Sequence, residues 1–203
     1  MSLFFYLLAC STLTLSPGPD VFFVLSKGME RGRRTALATA WGMCSGCFFH
    51  TFAVAAGISA LCMQSPQAFL ALKLVGAGYL LYLAYKTVTA PHTGMQQTTA
   101  PHAFWAAYRN GLLMNLMNPK VALFFIAFLP QNIDKDSTTP IPVQLMILGL
   151  LFTAQAFFWF TGLGYFAGTI GRGIQSNPQL MRGLPWISAS ILFLIGISVL
   201  ILH

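Results

Sequence analysis

Six predominantly apolar runs, at residues 3–26, 35–63, 67–87, 108–130, 142–168 and 184–202, occupy this chain almost from end to end. A helix needs about 20 such residues to cross the hydrocarbon core of a bilayer, at about 1.5 Å of rise per residue. Turn-forming or polar stretches separate the runs, among them Gln64-Ser65-Pro66, residues 91–101 and residues 134–140. Charged residues make up only 7% of the chain, against roughly 25% in a soluble domain, so a water-facing surface cannot be built from them. The expected fold is an all-α membrane protein with six transmembrane helices in one transmembrane domain spanning residues 1–203.

A net charge of +7 would suit nucleic acid in a soluble protein, but the basic residues form no stripe with interleaved aromatics, so no nucleic-acid partner is expected. They gather in alternate connections instead. The first holds Lys27, Arg31, Arg33 and Arg34, the third Lys86 and Arg109, and the fifth Arg172 and Arg182, whereas the second and fourth hold only Lys135. Because Lys and Arg near span ends resist translocation, this asymmetry puts both termini on the non-cytoplasmic side. No Lys or Arg precedes the first run and no small-residue cleavage pattern bounds it, so it is expected to stay as a span. Cys10, Cys44, Cys47 and Cys62 lie within or at the edges of apolar runs, where thiols behave as small buried hydrophobes.

The first and fourth runs share a pattern. Pro19-Asp20-Val21 matches Pro119-Lys120-Val121 at an offset of one hundred residues, and a Phe-Phe pair follows each, Phe22-Phe23 and Phe124-Phe125. Three spans per half force the second half to enter the membrane in the opposite sense. The halves would then be two inverted three-helix repeats, residues 1–90 and 108–203, joined by a cytoplasmic connection at 91–107.

Both matching segments interrupt their helices. Ser16-Pro17-Gly18-Pro19-Asp20 cannot continue a regular helix, since two prolines remove donors and clash with the preceding turn. Asn118-Pro119 has the chemistry of a helix start, Asn at the cap and Pro at the first helical position, and Ser16-Pro17 repeats that logic. Each break is expected to face the bundle interior and to present a half-helix N-terminus with unsatisfied N–H groups, which suit a carboxylate. Asp20 and Lys120 accompany the breaks, although a charge near a span centre costs about 2.5 to 3.5 kcal/mol on the most lenient scale. In the functional reading Asp20 holds a cation, a proton or a substrate ammonium, while Lys120 and the helix ends hold an anion. In the plainer one the two residues pair structurally, with Asp20 close enough to the cytoplasmic end to be partly hydrated.

The same residues resemble the LysE/RhtB family of bacterial amino-acid exporters, whose members open with a Ser/Thr-Pro-Gly-Pro-Asn/Asp element like residues 16–20. The resemblance continues through Arg31-Gly32-Arg33-Arg34, Trp41-Gly42 to Gly46, Leu72 to Leu83, and Asn115-Leu116-Met117-Asn118-Pro119-Lys120 followed by Phe-Leu-Pro-Gln at 128–131. It implies proton-driven export of an amino acid or close derivative across the bacterial inner membrane, with no cofactor, no metal and no enzymatic step. Homo-oligomer formation is left open. The implied substrate-binding residues are Ser16, Pro17, Gly18, Pro19, Asp20, Asn115, Asn118, Pro119 and Lys120. This chain has Asp20 where many relatives have Asn, which points to Asp20 as the coupling residue, and it has cysteines at 44 and 47 where small residues are common.

Other polar residues carry two readings each. Lys73 can line the pathway or snorkel to the interface, and His50 can be a pathway group or a neutral ring bonded across helices. Gln155 and Thr153 can line a cavity or simply bridge helices. Cys44-Ser45-Gly46-Cys47 has redox-motif spacing, and with His50 it places three soft ligands along one helix. Mid-helix thiols would strain to bridge and a metal would want a fourth ligand, so Gly42, Gly46 and Cys47 read better as a close-packing face. The rival functions are a membrane thiol-disulfide electron carrier using Cys44 and Cys47, and a channel-like membrane subunit. No Gly-x-x-x-x-Gly-Lys loop supports an ATP-driven pump.

Overall fold

The computed structural model describes residues 3–64, 66–89, 104–134 and 136–201. They form helices α1 (Leu3–Leu15), α2 (Pro19–Arg31), α3 (Arg33–Gln64), α4 (Pro66–Thr89), α5 (Phe104–Leu116), α6 (Pro119–Ala127), α7 (Ile141–Gln175) and α8 (Pro178–Ile201), with a 3-10 turn at Leu129–Asn132. The protein is an all-α membrane protein. Among the described residues, α3 and α7 are each long and apolar enough to cross a bilayer, and the bent pairs α1/α2 and α5/α6 pass the same test when each is taken together.

Proline and glycine set the joints. Gly32, at φ +80°, alone separates α2 from α3, a backbone conformation that other residues adopt only at a cost. Lys27, Arg31, Arg33 and Arg34 therefore belong to helix ends rather than to a loop. Helix α8 begins at Pro178, not near residue 184, because Asn177 caps it by accepting from the Gln179 N–H at 3.0 Å and proline suits the first helical position. Arg172 and Arg182 are accordingly helical residues of α7 and α8, and the connection between those helices is short. Helix α5 starts at Phe104, before the expected residue 108, while Lys135 and the connection at 90–103 lie outside the described residues.

Helix α3 is the hub, packed against α5 on one side and α7 on the other, while α2 lies on α7 and α4 on α8. Lipid supplies no hydrophobic drive between spans, so close backbone approach and dispersion have to hold them together. Glycines make the approach possible. A methyl on Gly42 would overlap the Tyr108 carbonyl, one on Gly111 the Thr39 carbonyl, and one on Gly46 the Asn115 side chain, which seats α5 directly on α3. Gly28 against Ala167 and Gly149 against Thr51 do the same for α7. The close-packing reading of Gly42 and Gly46 holds, and Cys47 is buried beside them. Further in, Phe124, Phe125 and Phe152 interlock with ring centroids 4.9 to 5.4 Å apart, while Phe48, Phe49, Phe52 and Phe158 stay exposed on the outer faces of α3 and α7.

Gly42→Ala should lower the thermal unfolding midpoint of the detergent-purified protein, at a cost of about 1–3 kcal/mol for forcing α5 off α3. Gly162→Ala, where nothing lies within 4 Å of the added methyl, should leave the midpoint unchanged; equal effects would contradict this packing.

Candidate functional site

Both expected breaks are present. Helix α1 meets α2 at 53° and α5 meets α6 at 50°. Each lies beside the middle of a long neighbour. The Ser11 hydroxyl donates to Gln155 Oε1 at 3.2 Å and Gln155 Nε2 donates to the Thr14 hydroxyl at 2.9 Å, so the end of α1 sits against the centre of α7. His50 Nε2 bonds the Asn115 carbonyl at 3.3 Å and Gly46 abuts the Asn115 side chain, so the second break sits against the centre of α3.

Across the breaks the two charges that accompany them meet. Lys120 Nζ lies 3.6 Å from Asp20 Oδ2 and donates to the Ser16 carbonyl at 3.0 Å. Asp20 is 3% exposed and Lys120 4%, so both charges are buried, and their pairing agrees with the plainer reading of a structural pair as well as with the functional one. Gly18 covers it: a methyl there would sit 2.9 Å from Asp20 Oδ1 and 3.2 Å from Lys120 Nζ, so the backbone closes directly over the pair. Charges in lipid pair with one another or with carbonyls, and Lys120 does both.

The two half-helix starts differ. At α6 the Lys120 N–H donates to Asn118 Oδ1 at 3.0 Å, and the Val121 and Ala122 N–H groups donate to the Asn118 carbonyl at 3.1 Å. Pro119 has no N–H to offer. The first-turn donors of α6 are thus occupied, contrary to the expectation of open N–H groups, because asparagine caps its own helix. At α2 the cap is Gly18 rather than Ser16, and no side chain caps it. Proline stands at the first helical position in both, as Pro19 and Pro119, while Pro17 lies in the turn.

Three buried polar atoms around the breaks have no hydrogen-bond partner among the described residues: Asp20 Oδ1, Asn115 Oδ1 and Asn118 Nδ2. Unmade bonds in a low-dielectric interior cost roughly 1–3 kcal/mol each, so these atoms are open to a further partner, as are Gln131 Oε1 and Asn132 Oδ1 at the end of the second bent pair. Of the three at the breaks, two are acceptors and one is a donor.

The remaining candidates spread out. His50 is the cross-helix bonded ring, resting on Phe125 at 5.6 Å between centroids. Gln155 joins a polar cluster with Ser11, Thr14 and Trp159, whose indole N–H donates to the Ser11 hydroxyl at 3.1 Å. Sequence reasoning missed Ser11, Thr14 and Trp159, although Ser11 and Thr14 are hydroxyls three residues apart on one face of a helix. Thr153, with Cys44 and Ser45, lines a groove of about 630 Å³ between α3 and α7 walled by Trp41, Phe48 and Phe157. Cys44 and Cys47 are buried free thiols, and Asn115 Nδ2 donates to Cys47 Sγ at 3.8 Å. No group of three metal-ligating side chains occurs among the described residues. The side chain of Lys73 lies outside them.

A family model for LysE type translocators matches residues 11–203. The chain is 31% identical over 180 residues to a leucine efflux protein of Klebsiella pneumoniae, covering 87% of this chain and 84% of that one. It is 30% identical over 198 residues to a homoserine/homoserine lactone efflux protein of Salmonella typhimurium, covering 95% and 93%. An uncharacterized membrane protein of Vibrio cholerae is 35% identical over 183 residues, covering 87% and 85%. No solved structure matches the chain.

Replacing one partner of the buried pair should be far worse than replacing both. Lys120→Met is expected to destabilise by about 3–5 kcal/mol through the stranded carboxylate, and adding Asp20→Asn should restore most of the loss. A thermal-unfolding cycle over the four proteins measures this, and simple additivity would show that the charges do not interact.

Proposed function

The chain belongs to the LysE type translocator family, and from that membership we propose that it exports an amino acid or close derivative from the cytoplasm as a secondary transporter exchanging its substrate for protons. Membership makes it a transporter and not an enzyme, in a multi-pass membrane setting. The observation that carries the substrate class is the set of three unpartnered buried atoms at the breaks. Asp20 Oδ1 and Asn115 Oδ1 are suited to an ammonium, and Asn118 Nδ2 with the uncapped start of α2 to a carboxylate. The leucine and homoserine efflux relatives agree with a zwitterionic cargo.

In this reading Ser16, Pro17, Gly18, Pro19 and Asp20 on one side, and Asn115, Asn118, Pro119 and Lys120 on the other, form the binding site. The substrate ammonium competes with Lys120 for Asp20, and a proton on Asp20 couples the cycle. His50 bonds the Asn115 carbonyl and so steadies the second break, and Gln155 steadies the first.

Six crossings follow if each bent pair is one span and α4 and α8 supply the other two, each 24 residues long. Support for an inverted repeat comes from the packing. Helices α3 and α7 would be counterparts, as would α4 and α8, and each of these pairs is in contact, which is compatible with a two-fold axis passing between them. The contacts of α1 with α7 and of α5 with α3 repeat the same relation, which agrees with repeats at residues 1–90 and 108–203. Inner-membrane residence with both termini outside is supported by a basic end of the bundle. There the Arg33 guanidinium lies 3.7 Å from the Tyr165 ring, beside the α2 and α7 termini that carry Arg31 and Arg172.

Proteoliposomes loaded with a panel of labelled amino acids should release a subset, faster when an imposed pH difference drives protons the opposite way. Silence across the panel would move the substrate to another solute class. Asp20→Asn should abolish the response to the pH difference, and unchanged efflux in that variant would remove the coupling role from Asp20. Export should survive Cys44→Ser/Cys47→Ser, whereas loss of all function there would favour thiol chemistry.

A further inference from the structure

We propose that the Lys120 ammonium is the tethered occupant of a latent alkali-cation site, built from the carbonyl end of α1 and the Asp20 carboxylate. The site is a product of the first break. In a continuous helix the Ser16 carbonyl would accept from the N–H four residues on. Here the chain turns at Pro17 and Gly18, and that oxygen instead receives Lys120 Nζ at 3.0 Å. The C-terminal end of a half-helix carries roughly half a negative charge, and a full one stands beside it on Asp20. Negative potential from two directions, in a setting that excludes water, is what a small cation needs.

The oxygen inventory points the same way. Ser16 O and Asp20 Oδ2 already face the ammonium at 3.0 and 3.6 Å, and Asp20 Oδ1 is a third oxygen, buried and without a hydrogen-bond partner. An ammonium bonds along three N–H directions, and among the described residues this one makes a single hydrogen bond within 3.5 Å, its carboxylate contact being longer. A bare monovalent ion has no directional demand and could draw on the carbonyl and both carboxylate oxygens. Unwound carbonyls and half-helix C-terminal ends coordinate sodium or protons in broken-helix transporters. In this chain the fourth span delivers the positive charge covalently, so the position is filled whenever substrate is absent.

The consequence for transport rests on the secondary-transporter reading: native export should need no sodium or potassium. The site itself does not depend on that reading, so its test measures cation binding and not export. Purified protein in detergent is unfolded thermally at constant ionic strength in choline, sodium or potassium chloride. The native midpoint should be the same in all three. Lys120→Ala should melt lower in choline and recover saturably by roughly 5 °C with sodium or potassium, as specific binding to the folded state requires. Methylammonium, which restores the missing group, should also raise it. Asp20→Asn/Lys120→Ala should lose these responses. Folded Lys120→Ala protein indifferent to every cation, or a double variant that responds like the single one, would overturn the site. Lys120→Ser, which adds an oxygen, carries the same expectations if the alanine protein does not fold. Should neither fold, the native protein decides: indifference supports an occupied site, and a saturable alkali response overturns it. Failure of amino-acid export in proteoliposomes would leave these melting results standing.

Discussion

The contact of Lys120 with Asp20 and the Ser16 carbonyl is the interaction on which the remaining architecture depends. Two charges stand 3.6 Å apart in the interior of a membrane-embedded chain, and each would be costly without the other. Their meeting also ties the first half of the chain to the second, because Ser16 and Asp20 flank one helix break and Lys120 opens the helix after the other. A broken helix in lipid leaves carbonyls and N–H groups to be satisfied, and the breaks here solve that problem by facing each other. Lys120 serves the exposed end of α1, and Asn118 serves the start of α6.

Bringing the breaks together requires α3 and α7 to hold α5 and α1 at close range. Gly42, Gly46 and Gly111 let α5 approach α3 until backbone touches backbone, and Gly28 and Gly149 do so for α7. Polar side chains then set the axial position. Gln155 fixes the end of α1, and His50 fixes the Asn115 carbonyl at the end of α5. The closeness of packing and the position of the charged pair are therefore one feature, since a helix held farther away could not deliver Lys120 to Ser16.

Much of this was legible residue by residue. Proline and glycine act on the backbone locally, so Pro17, Gly18, Pro19 and Pro119 announced both breaks, and Asn118 announced its own cap. Helix ends near charged residues were harder. Arg172 and Arg182 looked like connection residues because hydropathy falls there, but a helix end tolerates a cation and Asn177-Pro178 starts a helix at once. The polar cluster of Ser11, Thr14, Gln155 and Trp159 escaped attention because its members come from two helices about 140 residues apart, and a lone hydroxyl in an apolar run usually bonds its own backbone.

From its sequence alone this chain determined a lipid-embedded helical class, the location of its two interruptions, the family it resembles and the identity of the charged residues beside the breaks. These follow from composition and local backbone chemistry, which act within a few residues. Only the tertiary structure decided that Asp20 is buried, that Lys120 reaches across to the α1 carbonyl, that Asn118 closes the α6 start, and that three polar atoms around the breaks have no partner among the described residues. Each depends on the distance between residues about one hundred positions apart, and that distance is set by how closely glycine-faced helices pack.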